Sequence, residues 1–265
     1  MNIYRQELRA YRKFTIIWTV SLVGLVLLYL SMYSAIAKDA DSFIKLLEGY
    51  PKEVREAFGM HLESIASLLG FYSFTFTMST LFGAIQAMIL GTGIVSKEVR
   101  ERTADFLMTK PVSRVRIVTE KLLAAISTIV FTNVIFLIAA SIMANVVKTR
   151  DFDGGVFLLM TLTLFFVQLM FLAIGLVISV ILPRIKSVLP ISLAVVFGFF
   201  AIAAFGNTSG EEPMRYLTPL KYFDTAYIMK NGRYETPFVV TGIVLVGVAV
   251  AVSYFVYRKK NIHAV

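Results

Sequence analysis

Six long apolar stretches that carry no charged residue constrain this chain most. They are Phe14–Ala37, Phe71–Val95, Leu122–Val147, Val156–Leu182, Val188–Gly206 and Pro237–Tyr257. A helix needs about 20 residues to cross roughly 30 Å of hydrocarbon, and each stretch approaches or exceeds that length. A backbone buried in lipid must satisfy its own hydrogen bonds, and no alternating strand pattern occurs. We therefore predict a single all-α membrane domain over residues 1–265, with six transmembrane helices.

The distribution of charge predicts the orientation of these helices. With the N-terminus placed in the cytoplasm, the inside segments hold 16 of the 26 basic residues but only five of the 17 acidic ones. Basic residues concentrate in cytoplasmic loops, so we expect both termini to be cytoplasmic. The net charge of +9 then reflects topology, and we expect no nucleic-acid partner. A cleaved signal peptide is not expected, because the first apolar run is about twice as long as a signal-peptide core.

The first residues combine an apolar helical face with a basic stripe. The face consists of Ile3, Tyr4, Leu8 and Tyr11, and the stripe of Arg5, Arg9 and Arg12. This pattern is typical of a helix that lies in the membrane interface, with its apolar face in lipid and its cations near anionic headgroups. We predict such a helix over residues 1–13; a short frayed basic tail is the alternative.

The sequence lacks the motifs of enzymes and ion-coupled carriers. The six spans contain no Asp, Glu, Lys, Arg or His for a proton relay or an intramembrane protease, and there is no cysteine, no HExxH and no Walker A sequence. Gly91-Thr92-Gly93 lacks a preceding strand, so we interpret it as a helix end rather than a phosphate loop. We therefore predict no catalytic residue, metal or cofactor in this chain. An intramembrane lipid-modifying enzyme is a weaker alternative, since it needs catalytic polar residues at depth.

The cytoplasmic loop over residues 96–121 has the most distinctive pattern outside the spans. Val99, Thr103, Phe106 and Leu107 share one helical face, which predicts an amphipathic helix. Pro111 ends that helix, and Ser113 is placed to cap a new one that runs into the third span. The apolar face could lie on the membrane or insert into a soluble partner, and the composition does not decide between them.

The same loop resembles that of ABC-2 type permeases. Residues 96–114 read SKEVRERTADFLMTKPVSR, with Lys121 following, and the family pattern has Glu, Gly or Thr, an acidic residue, Leu, Pro-Val-Ser-Arg and then Lys. Arg102-Thr103 departs from the Gly-Thr that is common in the family. Residues 216–223, YLTPLKYF, resemble the family's motif before the last span. Together with the six spans and the N-terminal helix, the resemblance covers essentially the whole chain.

The resemblance implies a type V exporter-like permease fold and a separate ABC ATPase that binds ATP and Mg²⁺. Two permease copies and two ATPase copies would assemble in a prokaryotic cytoplasmic (inner) membrane. The cytoplasmic loop would be a coupling helix seated in the ATPase. Its implied contact residues are Glu98, Val99, Glu101, Arg102, Thr103, Asp105, Phe106, Leu107, Pro111 and Arg114.

The resemblance also implies a path and an outer gate. In the family the second and fifth spans line the path between protomers, where the candidates are Thr75, Ser79, Gln86 and Ser192; ordinary helix packing is the alternative. Residues 207–236 would form a re-entrant outer loop, with Tyr216, Pro219, Tyr222 and Phe223 at the gate; an ordered loop on top of the bundle is the alternative.

A path without fixed charge favours amphipathic or hydrophobic cargo, such as a peptide, a lipid or a drug. The sequence thus predicts the permease subunit of an ATP-driven ABC exporter. The main alternative is a membrane subunit that anchors or senses for a complex and transports nothing.

Overall fold

A computed structural model describes residues 3–51, 54–55, 62, 64–100, 112–182, 185–209 and 212–259. Helices dominate this part of the chain. They are α1 (Ile3–Ile36), α2 (Ala40–Glu48), α3 (Leu68–Arg100), α4 (Arg114–Val147), α5 (Gly154–Ile181), α6 (Val188–Ser209), α7 (Glu212–Arg215), α8 (Thr225–Asn231) and α9 (Thr236–Lys259), with a 3-10 turn at Pro219–Lys221. No strand occurs among the residues just given, and the all-α prediction is confirmed.

Within the described residues, five helices are long and apolar enough to cross a membrane: α1, α3, α4, α5 and α9. The sixth predicted span corresponds to α6, whose apolar part Val188–Ala204 is shorter. Side-chain caps fix several helix starts. Ser113 accepts a hydrogen bond from the Arg116 amide at 3.3 Å, as predicted, and Asp153 accepts from the amides of Gly155 and Val156 at the start of α5.

α3 is the most buried of the long helices and α5 packs closely against it. Glycines make this approach possible. A Cβ on Gly91 would overlap the Leu172 carbonyl, and a Cβ on Gly175 would lie 2.8 Å from the Thr92 amide nitrogen. α3 continues to Arg100, so interpreting Gly91-Thr92-Gly93 as a helix end is wrong; Gly91 marks a helix crossing instead.

The segment predicted as a separate interfacial helix is the first part of α1. No Pro or Gly interrupts the chain between Ile3 and Gly24, so the helix continues without a break. Ile3 is buried in the protein rather than in lipid, and the Tyr4 hydroxyl shares a 3.0 Å hydrogen bond with Ser127 on α4. The apolar face therefore packs at least in part on the bundle, whereas Arg9 and Arg12 stay exposed.

Contacts between helix ends define two sides of the bundle. On the side assigned to the cytoplasm, the start of α1 meets the start of α4, where the Tyr4 amide donates to Glu120 Oε2 at 3.2 Å. The start of α4 also meets the end of α9, since Arg114 Nη1 donates to the Arg258 carbonyl at 3.3 Å. On the opposite side, the Tyr234 hydroxyl before α9 donates to the Leu159 carbonyl in α5 at 2.6 Å.

Candidate functional site

The predicted coupling segment lies largely outside the described residues. This applies to Glu101, Arg102, Thr103, Asp105, Phe106, Leu107 and Pro111, while Glu98 and Val99 are described only as backbone at the end of α3. Arg114 is the first residue of α4. The structure thus describes the two helices that lead into and out of the segment, and the segment's contact residues stay predictions.

A cluster of charges lies where those two helices meet α1. Glu7 on α1 is 5% exposed and Lys121 on α4 is 1% exposed. Glu7 Oε1 lies 3.3 Å from Lys121 Nζ, and Glu7 Oε2 lies 3.9 Å from Lys97 Nζ on α3. Lys121 Nζ also donates to the Ile94 carbonyl on α3 at 2.6 Å. One carboxylate therefore connects three helices.

Further contacts around this cluster involve Tyr4 and Tyr11 of α1. The ammonium group of Lys97 lies 5.7 Å from the centre of the Tyr11 ring. A Cβ on Gly93 would lie 3.2 Å from the Tyr11 hydroxyl, so this glycine lets α1 approach α3 closely. Together with the Tyr4 contacts to α4, these interactions fix about two turns of α1 to the end of α3 and the start of α4.

The sequence patterns do not single out this cluster. Glu7 is one of the five acidic residues of the inside segments, and Lys121 is one of their basic residues and follows the loop motif. A signal was nevertheless present, because Glu7 follows Ile3 by four residues and precedes Tyr11 by four. An acidic residue in the middle of an apolar helical face indicates that a cation or another hydrogen-bond donor faces it.

A chain of polar side chains crosses the interior between four helices. Asn133 Nδ2 donates to Gln168 Oε1 at 2.5 Å, and Gln168 Nε2 donates to Gln86 Oε1 at 2.9 Å. Gln86 Nε2 donates to Thr132 Oγ1 at 3.2 Å, and the hydroxyls of Thr132 and Thr19 share a 2.9 Å hydrogen bond. These neutral groups join α1, α3, α4 and α5 at the depth where the spans contain no charge.

The four predicted path residues are all buried inside the helix bundle. Thr75, Ser79, Gln86 and Ser192 each have no exposed surface. The hydroxyls of Thr75 and Ser79 donate to carbonyls of their own helix, whereas Ser192 Oγ has no hydrogen-bond partner among the described residues. In this conformation the four do not form an exposed face for a second protomer, and their role in a substrate path stays a prediction.

The predicted outer-gate residues form an aromatic cap on the opposite end of the bundle. Pro219, Tyr222 and Phe223 are buried and Tyr216 is exposed. The Phe223 ring stacks on Phe166 of α5, with centroids 5.5 Å apart. The Tyr222 hydroxyl donates to the Tyr216 carbonyl at 2.8 Å. This packing agrees with an ordered loop on top of the bundle, and its role as a gate stays a prediction.

An ion pair connects this cap to the last span. Arg215 Nη2 lies 2.6 Å from Glu235 Oε1 and Arg215 Nη1 lies 3.3 Å from Glu235 Oε2. The guanidinium also lies 4.1 Å from the centre of the Phe238 ring in α9. Burial raises the pKa of the Tyr234 phenol, next to Glu235, to about 12. Burial likewise raises the pKa of Tyr222.

Comparison with known protein families identifies one match over nearly the whole chain. The family described as ABC-2 family transporter protein matches residues 1–262. No curated protein is similar enough to the chain to count as a match.

Proposed function

The chain belongs to the ABC-2 family of transporter proteins, and we propose that it is the permease subunit of an ATP-driven exporter for amphipathic or hydrophobic cargo. It is a multi-pass membrane protein. In this family a separate ATPase subunit hydrolyses ATP. The proposal adds the direction of transport, the class of cargo and a prokaryotic cytoplasmic membrane as the location.

The distribution of buried charge supports this proposal best. Among the described residues, the buried charged side chains are Glu7 and Lys121, and both lie at the cytoplasmic end of the bundle. The other buried side chains with polar atoms are Ser, Thr, Gln and Tyr. A small ion or a proton would need charged or titratable groups at depth, whereas a lipid, an apolar drug or a hydrophobic peptide needs none.

The partners in this proposal are two copies of an ABC ATPase and a second copy of the permease. The ATPase would bind ATP and Mg²⁺, and the segment between α3 and α4 would sit in its cleft. Phe106 and Leu107 would fill an apolar notch there, with Glu98, Glu101 and Arg102 at a polar rim. Closure of the two ATPases would tilt these segments and switch the path between its two openings.

Co-purification in mild detergent tests the partner. We expect the chain to retain an ABC ATPase, and we expect a Phe106→Asp, Leu107→Asp variant to lose it, because two charges would then enter an apolar notch. Leu46→Asp is the matched control, since Leu46 is exposed on α2 at the opposite end of the bundle. Recovery of no ATPase with the parent chain, or equal retention by both variants, would contradict the proposal.

Reconstitution separates transport from the alternative of an anchor or sensor subunit. Vesicles that contain the full complex are loaded with a fluorescent phospholipid, a fluorescent hydrophobic peptide or an apolar dye. We expect ATP to drive at least one of these probes across the bilayer. ATP hydrolysis without movement of any of the three would favour the anchor or sensor.

A further inference from the structure

Glu7 and Lys121 form a buried ion pair between α1 and α4. Taking ions out of water is costly, and well-packed apolar side chains of similar volume are often as stable as a buried ion pair. Lys121 is almost completely buried, and its ammonium group contacts the Glu7 carboxylate and the Ile94 carbonyl. Such a pair restricts the relative position of the helices that carry it much more narrowly than an apolar contact does.

We propose that Glu7 is a positioning residue that makes the start of α1 move together with the two helices flanking the coupling segment. This inference rests on the function proposed above. Glu7 contacts Lys97 near the end of α3 and Lys121 near the start of α4. A tilt of the segment between α3 and α4 therefore carries the first turns of α1 with it.

α1 is built to pass this movement across the bilayer. It continues as one helix from Ile3 to Ile36, so a displacement of its cytoplasmic end is passed along the helix toward its outer end. Halfway along, Thr19 is hydrogen-bonded to Thr132 of α4. Near the outer end, the Tyr33 hydroxyl donates to the Ala66 carbonyl at 3.3 Å, just before α3 begins. Glu7 thus lies at the end of α1 where the proposed movement begins.

Labelling of an outer cysteine tests the inference without knowledge of the cargo. The chain contains no cysteine, so Phe223→Cys provides a single thiol at a position that is 9% exposed. The labelling rate with a membrane-impermeant maleimide is measured for the permease–ATPase complex in liposomes, without nucleotide and with ATP plus vanadate. We expect ATP plus vanadate to change the labelling rate of the complex that carries Phe223→Cys alone, which is the parent complex of this experiment.

In a Glu7→Gln, Phe223→Cys chain we expect ATP hydrolysis to continue and the nucleotide-dependent change in labelling to disappear. Glu48→Gln is the matched control, because Glu48 is exposed on α2 at the outer end, and it should keep the change. A change of parental size with Glu7→Gln overturns the inference. No change in the parent complex overturns the proposed function itself, and the inference with it.

A double variant separates positioning from stability. Glu7→Gln removes the negative charge of Glu7 from beside the buried Lys121 ammonium, so this variant should melt at a lower temperature than the parent. Adding Lys121→Met removes the buried charge, and we expect the melting temperature to recover while the nucleotide response stays lost. Recovery of both properties would show that the cluster only stabilises the fold, and would overturn the inference.

Discussion

Gln168 on α5 donates a hydrogen bond from Nε2 to Oε1 of Gln86 on α3 at 2.9 Å, in the interior of the bundle. Both side chains have no exposed surface. Each amide also bonds to α4, through Asn133 and Thr132. The most buried helix of the protein is thus connected to two neighbours by neutral hydrogen bonds, in a region from which charge is absent.

Replacing Gln86 with Leu should destabilise the bundle by about 1 kcal/mol, because it leaves the Gln168 amide without an acceptor away from water. The measurement is unfolding by increasing mole fraction of SDS in mixed micelles. Gln6→Leu is the matched control, since Gln6 is exposed near the start of α1, and it should change stability by less than about 0.5 kcal/mol. Equal effects of the two substitutions would contradict a structural role for the amide chain.

The sequence predicted the helical class and the spans because lipid imposes a simple rule on length and charge. It also predicted the Ser113 cap, which depends on neighbouring residues alone. The orientation of the polar residues of the second span, Thr75, Ser79 and Gln86, could not be predicted in this way. Gln86 can face a path, a second protomer or its own bundle with the same helical periodicity, and only the positions of Gln168 and Thr132 decide which.

The contact between Glu7 and Lys121 shows the same limit at longer range. These residues are 114 positions apart in the chain, and no local pattern pairs them. The sequence predicted that both residues lie on the cytoplasmic side, but it did not predict their contact. The helix-end interpretation of Gly91 failed for a related reason, because a glycine between apolar residues suits a helix end and a close helix crossing equally well, and α5 supplies the crossing.

Gly175→Ala should destabilise the protein by about 1–3 kcal/mol, the usual cost of overpacking a tight core. Its new methyl group would lie 2.8 Å from the Thr92 amide nitrogen and 2.9 Å from the Met88 carbonyl oxygen, so backbone must move. Gly247→Ala is the control, because a Cβ there meets nothing within 4 Å. Unfolding in mixed micelles compares the two. If Gly175→Ala is as stable as Gly247→Ala, then α3 and α5 are not in close contact at Gly175.

The bidentate pair of Arg215 and Glu235 should hold the outer cap closed. Arg215→Gln removes it and its contact with Phe238, at a cost of about 1 kcal/mol because both side chains are partly exposed. On a Phe223→Cys background, this corresponds to about a fivefold faster reaction with an impermeant maleimide. Arg233→Gln is the control on the same loop, where Arg233 is exposed. An unchanged rate with Arg215→Gln would show that the pair does not restrain the cap.

Ionisation of Tyr234 should loosen the same cap at high pH. Its pKa is raised by burial from 10.0 to about 12, so the folded protein holds this proton more tightly than the unfolded chain does. The resulting stability is complete below pH 10 and is lost as the pH rises through about 12. The ionised phenol also cannot donate its 2.6 Å hydrogen bond to Leu159. We therefore expect the unfolding free energy of the parent to fall over this interval more steeply than that of Tyr234→Phe. Parallel pH curves for the two proteins would contradict the burial of this phenol beneath the outer cap.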